Sequence, residues 1–254
     1  MLIAARNSFM VKMPKPLSAR DYVQDDITLL WDGIENADWG VHNAAATTWK
    51  NLAGGGWDLD VTAAATWNAN SIHCDGSAPA AIHNSASAAS DYNALALSLA
   101  TVEIVFSYDR LNERAKLIFT VASTTSNGRH FCIDNNTGYL HAISKKANYN
   151  SAGLGIALSA LPSSGVPMQV SADYLTTDMR YAPTRLSLNN GEAQAVSASE
   201  SRAVDVGIAL GGRSNFFRLI GDIFCVRGYS RALTAAEIAA NYAVDVARFN
   251  LPTT

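Results

Sequence analysis

Short runs in which apolar and polar residues alternate recur along most of the chain. Trp57, Leu59 and Val61 alternate with two aspartates, and this period of two is typical of a strand that is buried on one face only. Other runs are rich in β-branched and aromatic residues. They predict strands at residues 96–108, 115–122, 131–134 and 139–143.

Turn-forming residues separate these runs at intervals of about eight to twelve residues, the spacing expected of a β-sandwich. Asn190-Gly191 is a preferred pair for a two-residue type I′ turn, because both residues take positive φ at low cost. It predicts a hairpin that joins residues 186–189 to 192–196. A second hairpin is predicted around Asn135–Gly138, with the glycine in the left-handed position.

The pattern changes period in the C-terminal region from Phe217 to Phe249. Its first half, up to Tyr229, is strand-like. Thr234 and Glu237 have the spacing of a capping box, in which each side chain bonds the other residue's backbone amide. A stripe at helical spacing follows at Ile238, Tyr242 and Phe249. The region therefore predicts one long strand followed directly by a terminal helix.

This ending resembles that of laminin-G-like, concanavalin A-like jelly-roll domains, in which Gly-x-Ile-Asp-Glu-Val, an aromatic residue, Arg-Ala-Leu-Thr and a helix beginning Ala-Glu-Ile follow one another. The matching positions are Gly221, Ile223, Val226, Tyr229 and residues 231–238. The Asp-Glu pair is absent, because Phe224 and Cys225 occupy those positions. Looser matches in the same order extend the resemblance over residues 26–249. It implies an all-β, concanavalin A-like jelly-roll β-sandwich of two antiparallel sheets with a short C-terminal helix.

Length and composition agree with one such domain at residues 26–254, preceded by a separate segment at residues 1–25. The chain has 254 residues, 48% of them hydrophobic and only 16% charged, and a net charge of −3. The sequence has no basic stripe interleaved with aromatic residues, so we expect no nucleic-acid partner. No apolar run reaches membrane-spanning length. Arg6 interrupts the stretch that would be apolar in a signal peptide. We therefore expect a virion or particle surface, or an extracellular location reached without a signal peptide.

Residues 1–25 predict an extended arm. Two prolines in this segment, Pro14 and Pro16, prevent a regular helix. Four basic residues precede or adjoin the first acid, Asp21: Arg6, Lys12, Lys15 and Arg20. An apolar cluster at residues 9–13 would be unfavourable in water. We expect the arm to dock on a second copy of the chain or on another structural subunit.

The sequence predicts no cofactor. Cys74, Cys132 and Cys225 are far apart and form no Cys-x-x-Cys pair, and we predict that they are reduced and buried. The histidines are scattered and indicate no metal site. Calcium remains open because relatives of the fold bind it in loops, and Asp134–Asn136 is rich in oxygen atoms. That segment also suits a hairpin turn, so no metal ligands are assigned.

Catalytic motifs are absent. Laminarinase-type members of the superfamily carry Glu-Ile-Asp followed by a second Glu, and retaining glycoside hydrolysis needs two such carboxyl groups close together. The one similar segment begins at Glu103, but Val105 replaces the Asp and no second carboxylate follows at residues 107–108. We predict that Glu103 is an outward-facing strand residue or a hydrogen-bonded structural residue, that there are no catalytic residues, and that the protein is not an enzyme.

A sugar site needs an exposed aromatic ring and a few polar groups. Four of the five tryptophans fall in strand-like or packing positions and are predicted to be core: Trp31, Trp49, Trp57 and Trp67. Trp39 differs because it lies in a polar loop. Tyr149 is bracketed by asparagines, and Asn215 lies in a third polar loop. Trp39, Tyr149 and Asn215 are therefore the candidate ligand-binding residues.

Three functional hypotheses follow. The first is a non-catalytic recognition or adhesion module that binds a glycan or a surface protein. The second is a structural or assembly protein, such as a virion or particle surface subunit, that docks through residues 1–25. The third is a glycoside hydrolase with a site that these motifs do not reveal.

Overall fold

The computed structural model describes residues 15–83, 89–110, 116–124, 127–135, 137–145, 152–174, 183–192, 196–198, 207–212 and 218–253. The strands, in chain order, are β1 (Ile27–Asp32), β2 (Thr48–Trp49), β3 (Leu59–Val61), β4 (Ala65–Trp67), β5 (Ile72–Asp75), β6 (Ala81–Ile82), β7 (Thr101–Phe106), β8 (Lys116–Thr124), β9 (Asn127–Asp134), β10 (Tyr139–Lys145), β11 (Ala152–Ala157), β12 (Met168–Asp173), β13 (Arg185–Leu188), β14 (Gly191–Glu192), β15 (Val196–Ala198), β16 (Gly207–Leu210) and β17 (Ile220–Tyr229). The helices are α1 (Ala89–Ser98) and α2 (Ala235–Phe249), with 3₁₀ turns at Ala19–Asp21 and Leu158–Ala160.

These strands form two antiparallel sheets that enclose one large core. Sheet 1 has the order β14-β13-β12-β7-β17-β5-β4, with β1 also paired to β17. Sheet 2 has the order β15-β11-β10-β9-β8-β16-β6-β3-β2. Apolar side chains from both sheets meet in the core, among them Ile104 and Val226 of sheet 1 and Phe119 and Phe131 of sheet 2. The predicted β-sandwich with a C-terminal helix is therefore confirmed.

The predicted burial of tryptophan and cysteine is also confirmed. Trp31 and Trp49 are fully buried, Trp67 is 8% exposed, and Trp57 is half-buried against the core. All three cysteines are buried thiols. Burial raises the pKa of the Cys74 and Cys225 thiols, which keeps them in the neutral form.

Both predicted hairpins form, one of them with a shifted turn. Strands β9 and β10 pair through Asp134 and Tyr139, and Gly138 has the expected positive φ of 78°. In the second hairpin Leu188 pairs with Gly191, so the two-residue turn is Asn189–Asn190 and not Asn190-Gly191. The two asparagines have φ of 49° and 60°, the left-handed conformation that asparagine adopts more readily than most residues.

The predicted strand at residues 96–108 is wrong in its first part, where helix α1 extends to Ser98 and strand β7 begins only at Thr101. Tyr92, Leu95, Ala96 and Leu99 are buried. Their spacing of i, i+3, i+4 and i+7 is that of one helix face. The Ala/Ser-rich composition concealed a helical pattern that was present in the sequence.

Helix α2 begins as predicted. The Thr234 hydroxyl accepts a hydrogen bond from the Glu237 amide at 3.3 Å, and the Glu237 carboxylate accepts one from the Thr234 amide at 2.8 Å. Phe224 and Cys225, the two departures from the family motif, are buried with Tyr242 and other residues of α2 in one apolar cluster. They form part of the surface on which the helix packs.

Glu237 is expected to make α2 sensitive to acid. Hydrogen bonds from Arg231 and Thr234 lower the pKa of its carboxyl group from 4.5 to about 2. Because this folded value lies below the unfolded one, the carboxylate adds stability above about pH 4.5, and that stability is lost as the pH falls toward 2. The difference in unfolding free energy between wild type and Glu237→Gln, measured with urea, should be largest at pH 7 and smaller at pH 3. A difference in unfolding free energy that does not change with pH would contradict a contribution from the Glu237 carboxylate.

Part of the predicted N-terminal arm is packed and not extended. A capping box between Ser18 and Asp21 starts the 3₁₀ turn at Ala19–Asp21. Ala19 and Tyr22 are buried, and the Val23 amide donates to the Asn241 side chain of α2 at 2.9 Å. Residues 1–14, which include the apolar cluster, lie outside the described residues. Docking through them stays a prediction.

Candidate functional site

Trp39 lies in the loop between β1 and β2, at a tight turn closed by a bridge between Asp38 and Val41. The Val41 amide donates to the Asp38 carbonyl at 2.9 Å, and the Trp39 amide donates to the Asp38 side chain at 2.7 Å. Trp39 is half-buried and Val41 is 47% exposed. The turn therefore displays an aromatic ring at the surface with part of its area accessible.

Side chains fix the conformation of this loop at its start and end. At the end of β1, the Asp32 carboxylate accepts hydrogen bonds from the amides of Ile34 and Glu35, both at 3.0 Å. Asn36 and Asn43 bond reciprocally across the loop, at 2.7 and 2.9 Å. Asp and Asn side chains that bond backbone groups in this way stabilise turns.

Glu35 joins the turn to two other parts of the chain. One carboxylate oxygen accepts from the Gly40 amide at 2.8 Å. The other accepts from the Ala19 amide at 2.7 Å and from the Arg248 guanidinium at 3.1 Å. The carboxyl group is buried, so the Trp39 turn, the Ala19–Asp21 turn and the C-terminal helix meet at one side chain.

Arg20 covers part of the Trp39 ring. Its guanidinium carbon lies 4.3 Å from the ring centroid, within the range of a cation–π interaction. Arg20 is exposed. Within the part of the chain that the structure describes, its guanidinium forms no ion pair. Trp39 and Arg20 together form what we call the Trp39 surface.

A buried ionic cluster lies between sheet 1 and α2. Arg227 of β17 donates to Glu103 of β7 at 2.9 Å and forms two bonds to Asp245 of α2, at 2.7 and 2.6 Å. Asn241 donates to Glu103 at 2.7 Å, and Gln169 donates to Asp245 at 2.9 Å. The predicted structural role of Glu103 is confirmed by these bonds.

Tyr22 connects this cluster to the Trp39 surface. Its ring lies under two guanidinium groups, with centroid distances of 4.1 Å to Arg227 and 5.4 Å to Arg248. Its hydroxyl donates to Asp245 at 2.8 Å and accepts from Arg248 at 3.1 Å. Arg248 also donates to both oxygens of Asp32, at 2.6 and 2.9 Å. The charged groups thus continue from the middle of sheet 1 to the Trp39 turn.

Burial sets the ionisation of these groups. Desolvation raises the pKa of the Glu103 and Asp32 carboxyl groups, while the guanidiniums of Arg227 and Arg248 act in the opposite direction. The neighbouring carboxylates Asp245 and Glu103 hold the pKa of Arg227 well above its usual value, against the effect of burial. Arg227 is therefore charged, and removing it would leave buried carboxyl groups without their cation.

The other two predicted binding residues, Tyr149 and Asn215, lie outside the described residues. Among the residues that are described, no group of three or more His, Cys, Asp or Glu is placed to hold a metal ion. Asp134, from the segment considered for calcium, is buried at the end of β9. No helix in the described ranges is long and apolar enough to cross a membrane.

The sequence pattern indicated Trp39 but not most of the residues around it. Arg20 was assigned to an extended arm, and the roles of Tyr22, Glu35 and Arg248 were not recognised. One signal was available, because Asn241 and Asp245 interrupt the buried face of α2 formed by Ile238, Tyr242 and Phe249. Polar residues on the buried face of a helix require partners inside the fold.

No protein-family model matches the chain, and no curated protein matches it. Among solved structures, it is similar to Trypanosoma rangeli sialidase in complex with 2,3-difluorosialic acid, at 12% identity and a TM-score of 0.53, over 85% of this chain and 33% of that one. It is also similar to the binding domain of botulinum neurotoxin DC in complex with SialylT, at 10% identity and a TM-score of 0.54, over 89% and 52%.

A second structure of the toxin, the binding domain of serotype D/C VPI 5993, gives 10% identity and a TM-score of 0.55, over 89% and 53%. The chain thus spans about a third of the sialidase and about half of the toxin domain. At these identities the similarity concerns the fold alone. The chain shares a β-sandwich fold with parts of these proteins.

Proposed function

We propose that this protein is a non-catalytic, laminin-G-like recognition module that binds a glycan at the Trp39 surface. The observation that carries the proposal is an accessible aromatic ring in a turn fixed by a buried carboxylate. Sugar rings pack their C–H faces on aromatic rings, and their polar groups bond to a few well-placed side chains. A fixed turn loses little conformational freedom on binding, which favours affinity.

The structural neighbours support the choice of a glycan as the ligand class. The toxin binding domain is described with SialylT and the sialidase with 2,3-difluorosialic acid. Those ligands belong to proteins of which this chain covers only a part. They support a sugar as the first ligand to test.

Two observations support a non-catalytic role. Glu103, the closest match to a hydrolase motif, is fully buried and bonded to Arg227 and Asn241. A general acid or base must reach the proton that it transfers. The Glu103 carboxyl group is instead buried between sheet 1 and α2, where a substrate would not reach it. At the proposed site, Trp39 and Arg20 supply an aromatic ring and a cation, not a pair of carboxyl groups.

Replacing Trp39 by alanine is expected to weaken glycan binding by more than about tenfold, because an aromatic anchor commonly contributes 2 kcal/mol or more and 1.4 kcal/mol corresponds to tenfold. A glycan array with the wild-type protein identifies the ligand, and titration calorimetry then compares the variants. The matched control is Tyr139→Ala, which removes a half-exposed ring from the β9–β10 hairpin and should keep the affinity. Equal losses in both variants, or no bound glycan on the array, would count against the proposal.

A second candidate function, assembly with other copies of the chain, is favoured by exposed apolar side chains. Leu17 and Val41 are 43% and 47% exposed, and are the large apolar side chains most open to solvent in the described ranges. Leu17 directly precedes the Ser18 cap, and Val41 belongs to the Trp39 turn. Exposed apolar surface of this kind is common where proteins associate.

Deletion of N-terminal residues tests the assembly function, and the contacts of residues 15–25 determine how many residues can be removed. Removing residues 1–25 would delete Tyr22 and the Ala19 amide that bonds Glu35, so it would destabilise the sandwich itself. Removing residues 1–14 leaves these contacts intact. We expect that shorter deletion to convert an oligomer into a monomer that still melts cooperatively, as measured by light scattering and calorimetry. A monomer before and after the deletion would contradict assembly through the arm.

A further inference from the structure

We propose that the Trp39 surface selects sugars that carry a carboxylate, and that Arg20 is the residue that determines this selectivity. The inference rests on the proposed glycan-binding function and names the ligand class of the same site. Its basis is the geometry of one guanidinium group and the hydrogen-bonding state of the groups around it.

Stacking leaves the donors of Arg20 available. A guanidinium packs on an aromatic ring through its flat face, whereas its five N–H donors point outward in its plane. With the guanidinium carbon 4.3 Å from the Trp39 centroid, contact with the ring consumes none of these donors. Two parallel N–H groups fit the two oxygens of a carboxylate, and such bidentate pairs are among the strongest hydrogen bonds in proteins.

No carboxylate of the described residues forms an ion pair with Arg20. Asp21, its neighbour in the chain, and Asp38, which precedes Trp39, each accept hydrogen bonds from nearby groups through one oxygen. Asp21 accepts from the Ser18 amide and hydroxyl at 2.6 and 3.1 Å. Asp38 accepts from the Trp39 amide at 2.7 Å. An anion supplied by a ligand would therefore complete an interaction that the protein leaves open.

The two buried carboxylates beneath the Trp39 turn have both oxygens bonded within the protein. Both oxygens of Glu35 accept hydrogen bonds, from Gly40 on one side and from Ala19 and Arg248 on the other. Asp32 is likewise bonded to Arg248 through both oxygens. Of the two side chains that form the Trp39 surface, both the indole and the guanidinium offer hydrogen-bond donors only. This favours an anionic ligand, because its carboxylate oxygens only accept.

The position of Arg20 is fixed before a ligand arrives. Its amide donates to the Ser18 hydroxyl at 3.3 Å, and the neighbouring Ala19 amide is bound to Glu35 at 2.7 Å. Because Glu35 also bonds Gly40, the turn that carries Arg20 and the turn that carries Trp39 share one buried anchor. Arg20 and the ring are therefore oriented together, and less freedom is lost when a ligand binds both.

The test compares sugar pairs that differ only in whether one carboxylate is present: methyl β-glucuronide with methyl β-glucoside, and 3′-sialyllactose with its methyl ester. Calorimetry should show that wild type prefers the acidic member of at least one pair by about tenfold or more, which corresponds to about 1.4 kcal/mol. Arg20→Gln should abolish the preference. Arg20→Lys should retain part of it, because lysine keeps the charge without the planar pair of donors. Lys50→Gln removes one exposed positive charge outside the site and is the matched control.

The outcomes separate this inference from the function on which it rests. Equal affinity of wild type for both members of each pair, with binding abolished by Trp39→Ala, would overturn the carboxylate selectivity and leave glycan binding intact. A preference that survives in Arg20→Gln would also overturn it, since another residue would then bind the carboxylate. If no sugar of either kind binds, both proposals fail. Thermal melting of each variant confirms that the fold is retained.

Discussion

Replacing Arg227 by methionine is expected to lower the free energy of unfolding by about 3–5 kcal/mol, the usual effect of removing one member of a buried ion pair. Arg227 is fully buried and bonded to Glu103 and Asp245. Methionine fills most of the volume but supplies no donor. The two carboxyl groups would remain out of contact with water, without the cation that compensates for their burial.

Urea denaturation at pH 7 measures this effect, and Lys50→Met provides the control. Lys50 is paired with Asp58 at 2.6 Å, but their side chains are 49% and 36% exposed. An exposed pair contributes about 0–1 kcal/mol, so the control should remain close to wild type. Combining Arg227→Met with Glu103→Gln and Asp245→Asn should recover part of the loss, because no buried charge is then left alone. If Arg227→Met lowered the free energy of unfolding no more than Lys50→Met does, the buried ionic cluster would contribute little to stability.

The cluster also bears on the proposed site. Tyr22 contacts Arg227 and Arg248, and Arg248 bonds Glu35 beneath the Trp39 turn. A variant that loosens the packing of α2 on sheet 1 should therefore also disturb the surface that displays Trp39. The buried charged groups therefore support the surface proposed to bind a glycan, although none of them is accessible enough to contact a ligand.

Local patterns predicted the elements whose determinants are close together in the sequence. The capping box of α2 depends on Thr234 and Glu237, three positions apart, and the β9–β10 hairpin depends on the turn at Asn135–Gly138. Both formed as predicted. The α1 helix was missed although Tyr92, Leu95, Ala96 and Leu99 have helical spacing, because small residues between them weakened the contrast between apolar and polar positions.

The ionic cluster could not be predicted in this way. Glu103 and Arg227 are 124 positions apart, and Tyr22 and Asp245 are 223 positions apart. A pattern-based interpretation places charged strand residues on the solvent side, which is correct for most sheets. Here α2 covers that side of sheet 1, and the charges are buried with partners that only the tertiary fold brings together.

The Trp39 surface was predicted only in part for the same reason. The polar loop around Trp39 was visible in the sequence, so the ring could be named as a candidate. Its partnership with Arg20 depends on the Ala19 amide reaching Glu35, a contact between a segment interpreted as an extended arm and the loop after β1. Sequence spacing contains no information about that contact.

Replacing Gly221 by alanine is expected to lower the free energy of unfolding by about 2–6 kcal/mol, which combines about 1–3 kcal/mol for an unfavourable backbone conformation with about 1–3 kcal/mol for overpacking. Gly221 has φ of 148°, and an added Cβ would lie 2.3 Å from the Ser107 carbonyl oxygen and 2.7 Å from the Tyr108 Cα. Both are backbone atoms of the segment that follows β7 and pairs with β17, so they cannot move aside as a side chain would.

Gly138→Ala measures a conformational cost without a steric one. Gly138 also has positive φ, at 78°, but an added Cβ would have no atom within 4 Å. The Gly138→Ala variant should therefore lose only the conformational part of the unfolding free energy, about 1–2 kcal/mol. Urea denaturation of both variants gives the comparison. If the two substitutions cost the same, Ser107 and Tyr108 must be able to move away from β17, and Gly221 would be needed only for its backbone conformation. A clearly larger loss for Gly221→Ala is expected, because the close approach of these two strands at the site of the Gly-x-Ile motif leaves no room for a side chain.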